Sequence, residues 1–104
     1  MSATGREQDF HEEMILLYRE AEEEGYAASA FLNRVYELGG LAAAKRLIND
    51  RQPSDGFRTL WEMGRLDLTV EYVVAFESRF RSLFTQGERL TARRRYEEYK
   101  TKPA

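Results

Sequence analysis

The stretch Gly56-Phe57-Arg58-Thr59-Leu60-Trp61-Glu62-Met63-Gly64-Arg65-Leu66-Asp67-Leu68-Thr69-Val70-Glu71 packs one helix end and one helix start around the only tryptophan of the chain. Ser54 or Asp55 just before it is a good N-cap, and Phe57, Leu60, Trp61 and Met63 recur at helical spacing until Gly64 stops the helix. Leu66-Asp67-Leu68 reads as a short extended connection with both leucines inward, and Asp67 or Thr69 caps the next helix, which carries Val70, Val73, Val74 and Phe76. The β-branched pair Val73-Val74 also suits a strand, but one strand without a partner is not stable. The fold class expected is therefore all-α.

Working outward, Phe80, Leu83 and Phe84 form an apolar cluster in a turn of no regular pattern, and Thr85-Gln86-Gly87-Glu88 has the form of a capping box opening a helix to about Lys100. That last helix has only a partial apolar stripe, Leu90, Ala92, Tyr96 and Tyr99, with Arg89 and Arg93 to Arg95 facing solvent. In the other direction, Pro53 marks a loop. Before it lie an alanine-rich helix, Leu41 to Asn49, and a helix over Ala27 to Leu38 with Phe31, Leu32, Val35, Tyr36 and Leu38 as its stripe, separated by Gly39-Gly40. A first helix runs from Asp9 to Glu24, where Gly25 ends it, with Phe10, Met14, Leu17, Tyr18 and Ala21 at helical spacing. The expected architecture is a compact orthogonal bundle of five to six short helices. It consists of one domain over residues 9–99, with flexible ends at 1–8 and 100–104, and its expected core is Phe31, Val35, Leu60, Trp61, Leu66, Leu68, Val73, Val74, Leu83 and Phe84.

Four features together give the chain a family likeness. They are the acidic, phenylalanine-led first helix (Asp9-Phe10-His11-Glu12-Glu13-Met14), the glycine pair before an Ala-Lys-Arg-Leu-Ile helix turn, the Gly56 to Glu71 block, and a Phe80 to Glu88 segment containing Leu-Phe-Thr. In these the chain resembles a family of uncharacterised helical bacterial proteins of about this length, over most of residues 9–98. The resemblance implies a compact helical unit; it carries no activity, cofactor, partner or site residue with it.

Composition excludes several chemistries. Without cysteine there is no disulfide framework and no thiolate metal site, which fits a reducing cytoplasm. Acidic residues near the start, Asp9, Glu12 and Glu13, occupy the place of the apolar core a secretory signal needs, and the longest apolar run, Met14 to Tyr18, falls far short of the about 20 residues of a membrane span. A cytoplasmic protein without membrane contact is expected. His11 is the only histidine, so a metal centre lacks convergent ligands and is read instead as a surface or capping residue. Nucleophilic catalysis lacks a cysteine, and Ser78 and Ser82 have no histidine near them in sequence. No glycine-rich phosphate loop follows a strand, because Gly39-Gly40 leads into leucine and alanine. No catalytic residue, no cofactor and no metal are expected, and no enzyme.

Charge is distributed unevenly around a net −2. Glu7 to Glu24 holds eight acids against Arg19, whereas Arg79 to Lys102 holds eight bases against Glu88, Glu97 and Glu98. Two readings compete. The basic helix can contact nucleic acid through Arg89, Arg93, Arg94 and Arg95 with Tyr96 or Tyr99 stacking on bases, and Arg58 and Arg65 of the opening stretch are further candidate contacts for a partner or nucleic acid. Alternatively it lies along the acidic first helix, or meets that helix on a second copy. The generous aromatic content, six Phe, six Tyr and Trp61, favours a protein-interaction or regulatory domain, with an unidentified protein or itself as partner and nucleic acid as the alternative.

Overall fold

Glycines with positive φ end the first two helices and the fourth, at Gly25, Gly39 and Gly64, and the segments between them pack as crossing helices. The computed structural model describes residues 5–103. Its α-helices are α1 (Gly5–Glu23), α2 (Ser29–Leu38), α3 (Gly40–Asn49), α4 (Asp55–Glu62), α5 (Val70–Phe76) and α6 (Gln86–Lys100), with 3-10 turns at Leu66–Leu68 and Ser78–Leu83. No strand occurs among the described residues. The radius of gyration, 12.9 Å, is that of a compact chain of this length, for which about 13 Å is usual.

Helix α1 begins at Gly5, four residues before the expected Asp9; of the expected flexible ends, residues 1–4 and 104 lie outside the described residues. Tertiary contact extends it. Arg6 donates to the Arg79 carbonyl at 2.7 Å, Arg79 returns an ion pair to Glu13 at 2.8 Å, and Phe10 meets Phe80 and Phe84 edge to face at 5.1 and 5.2 Å. The same contacts convert the segment before Phe84, where no regular pattern was expected, into the 3-10 turn Ser78–Leu83 with Phe80 at its buried centre.

The α2–α3 corner needs both of its glycines. Gly39 adopts φ 86°, where a side chain is strained, and a Cβ on Gly40 would lie 2.6 Å from the Cα of His11. That close approach lets His11 accept a hydrogen bond at Nδ1 from the Gly40 N–H at 2.8 Å. A side chain on α1 thus supplies a partner for an otherwise unpaired N–H at the start of α3.

Further along, Ser54 caps α4, Thr69 caps α5, and Thr85 with Glu88 forms the complete capping box of α6, as the sequence predicts. Leu66-Asp67-Leu68 is a 3-10 turn rather than an extended link, because Thr69 reaches back to donate to the Leu66 carbonyl at 2.7 Å.

Burial differs from expectation in four respects. Phe57, not Trp61, is the deeply buried ring of α4; both meet Tyr99 edge to face, but Trp61 is only half-buried. Phe31, Leu66 and Leu83 are also half-buried, while Phe10, Met14, Ile48 and Phe80 fill the centre. Of the α2 stripe only Val35 is buried, and Tyr36 and Leu38 are exposed. Finally, α6 packs chiefly on α5 and α3, not along the acidic α1. No helix among the described residues is long and apolar enough to cross a membrane.

Candidate functional site

Helix α6 turns charged residues inward. Its buried positions are Glu88, Ala92 and Arg95, one face at helical spacing, while Leu90 from the expected stripe is exposed. Both charges are matched by α3. Glu88 accepts from Lys45 Nζ at 2.7 Å, Asn49 Nδ2 at 2.9 Å and the Thr85 N–H at 2.9 Å. Burial alone would raise its pKa, but these hydrogen bonds outweigh burial and hold the carboxyl down at about 2.

Arg95 caps the C-terminal end of α3, donating to the carbonyls of Leu47, at 3.3 Å, and Asp50. These belong to the last turn and C-cap of α3, whose carbonyls have no partner within the helix. Its other contact is Glu71 on α5, 3.4 Å from guanidinium Nη1 to Oε2. Glu71 is 1 % exposed, and desolvation pushes its carboxyl up to about 7 even though the α5 backbone and Arg95 both favour the charged form.

The space in front of Glu71 is open. A cleft of about 420 Å³ separates the main core, represented here by Leu17, Phe31, Leu47 and Val70, from a smaller cluster of Ala21, Leu60, Leu68 and Tyr26. Residues of α1, α2, α3 and α4 and the segment 68–71 line the cleft. Its wall is mostly apolar, with Glu71 and Thr69 deep and Arg34, Arg46, Asp50 and Asp55 around it. Volume and lining are those of a small-ligand or side-chain site. A second, more open groove of about 500 Å³ crosses the α2–α3 corner beside His11 and Lys45, where both of these side chains are already engaged, with Gly40 and Glu88.

The residues singled out from sequence are dispersed. Arg89 donates to the carbonyls of Phe84 at 2.7 Å and Arg81 at 3.2 Å, closing the 3-10 turn before α6. Arg65 bridges Glu24 and Asp67, and those bonds, the one to Asp67 foremost, raise its pKa and lower that of Asp67. Arg95 is buried, not solvent-facing, because α3 needs a donor at its C-terminus. Arg93 lies 5.7 Å from the Phe76 ring, and Tyr96 is enclosed by Phe76 and Tyr72. Only Arg58 and Arg94 of the set are exposed without a partner among the described residues. The set therefore does not assemble into one surface.

Sequence reasoning missed the cleft and the Glu71–Arg95 pair. One signal was present: Glu71 interrupts the run Val70, Val73, Val74, all of which are buried. The acid shares their side of a seven-residue helix and has to be enclosed with them. No family model, curated protein or solved structure matches the chain, so the site rests on its own geometry.

Proposed function

We propose that this protein is a non-catalytic binding domain, with the cleft between its two apolar clusters as the place where a partner or ligand seats an apolar group. The observation that carries this reading is the divided core: a short chain leaves about 420 Å³ open beside a buried Glu71–Arg95 pair. Closing that gap would bury more apolar surface, at about 25 cal/mol per Å². A non-catalytic role is supported by the engagement of its reactive groups. The single imidazole accepts from Gly40, Glu88 is held by three donors, and Arg95 serves both Glu71 and α3. The cysteine-free composition supports a cytoplasmic setting for the same role.

Titration of the ¹⁵N-labelled protein with octan-1-ol tests the reading. Amide shifts are expected in α2, α4 and residues 66–71, and Ala30→Trp, at an exposed position on the cleft wall, should abolish them. Shifts confined to α6 would move the site elsewhere.

A second reading rests on Arg94, exposed and unpaired, and Arg93 beside the 38 % exposed Phe76. It is nucleic-acid contact by the outer face of α6. It requires affinity for single strands that falls with salt and with Arg93→Glu and Arg94→Glu.

A further inference from the structure

We infer that the cleft takes an amphipathic carboxylate, its apolar chain or ring lying between the two clusters and its carboxylate held by Arg34 and Arg46. The inference deepens the binding reading above and depends on it. Arg34 on α2 and Arg46 on α3 both line the cleft, on two helices joined through the Gly39-Gly40 corner. Both are exposed, and neither has an ion pair, hydrogen bond or ring contact among the described residues. Two guanidinium groups free to converge on one site are suited to a carboxylate, which accepts charge-assisted and bidentate hydrogen bonds.

Besides Glu71, which is enclosed with its Arg95 partner, two exposed acids border the same cleft and would favour a cation. Backbone N–H groups already serve both of these acids. Asp50 accepts from the Gln52 N–H at 3.2 Å, and Asp55 sits in the first turn of α4, where unpaired N–H groups favour negative charge. Asp55 also raises the pKa of Tyr26, second to burial, which keeps that hydroxyl a neutral donor on the cleft wall. The cations at the rim have no such compensation. The rest of the lining is mostly apolar, from Leu17 through Phe31 and Leu47 to Leu60, with Thr69 and Glu71 as its buried polar members. A charged head with an apolar tail matches that order.

Calorimetric titration of the full chain with octanoate, octan-1-ol and octylammonium separates the terms of the inference. Octanoate should bind at least about tenfold more tightly than the alcohol, in keeping with hydrogen bonds to charged groups, and octylammonium should bind weakest. Shortening the chain to hexanoate should weaken binding about fourfold per methylene removed. Arg34→Ala and Arg46→Ala should each reduce octanoate affinity several-fold while leaving octan-1-ol unchanged. Both positions are exposed, and matching thermal melts would show the variants folded. Tighter binding of octylammonium, or octanoate affinity unchanged in the double variant, overturns the carboxylate. Equal binding of acid and alcohol also overturns it but leaves the cleft as a binding site, whereas no binding by any of the three removes both.

Discussion

Glu88 on α6 and Glu71 on the neighbouring α5 are both buried carboxylates, and they lie in opposite electrostatic settings. Glu88 is closed in by three donors, two from α3 and one from its own capping box, and its charge is stabilised. Glu71, nearly fully enclosed at the cleft wall, has one long contact with Arg95 and a hydrogen bond from the α5 backbone, and desolvation dominates there. The first arrangement joins two helices. The second encloses a carboxyl at the wall of a cleft with its ordinary acidity weakened by burial, and perturbed carboxyls of this kind concentrate at functional sites.

Removing Arg95 should separate the two settings most sharply. Arg95→Ala strands Glu71 in the core and takes the donor from the Leu47 and Asp50 carbonyls, so denaturant unfolding should show a loss of about 3 to 5 kcal/mol. A loss under about 1 kcal/mol would mean the pair is not desolvated in solution.

The pH profile offers the next test, of about 3 kcal/mol on each limb. For Glu88 the folded pKa lies below the usual 4.5, so its stabilisation is complete above pH 4.5 and is lost as pH falls toward about 2. For Glu71 the folded pKa lies above 4.5, so the native state holds the proton more tightly. Its stabilisation is complete below pH 4.5 and is lost as pH rises through about 7. Stability should therefore peak near pH 4.5 to 5. Glu88→Gln should flatten the acid limb only, and Glu71→Gln the neutral limb only; a neutral limb unchanged in Glu71→Gln would show that Arg95 keeps the acid ionised throughout.

The smallest effect expected is at the cap. Thr85→Ala removes the acceptor for the Glu88 N–H and should cost about 1 kcal/mol in thermal unfolding, without altering the Glu71 limb.

Local signals in the chain described local structure well. Ser54, Gly64, Thr69 and the Thr85–Glu88 box stand at the element ends their chemistry predicts, because a cap or a positive φ is decided within four residues. Burial was legible only where apolar periodicity matched the inward face. In α6 it did not: Leu90 is exposed and Glu88 and Arg95 are buried, since their partners Lys45, Asn49, Leu47 and Asp50 lie about forty or more positions earlier. The candidate site was hidden for the same reason. The cleft is a gap between elements distant in sequence, and no single segment carries its outline.

The bond from Gly40 N–H to His11 bears on how the chain folds. An isolated ten-residue helix is short for independent stability, and the start of α3 draws a partner from 29 positions upstream. Growth of α3 is thereby coupled to its docking against α1. If that event belongs to the folding nucleus, substitutions at His11 slow folding and leave the unfolding rate nearly untouched, the signature of a contact made early.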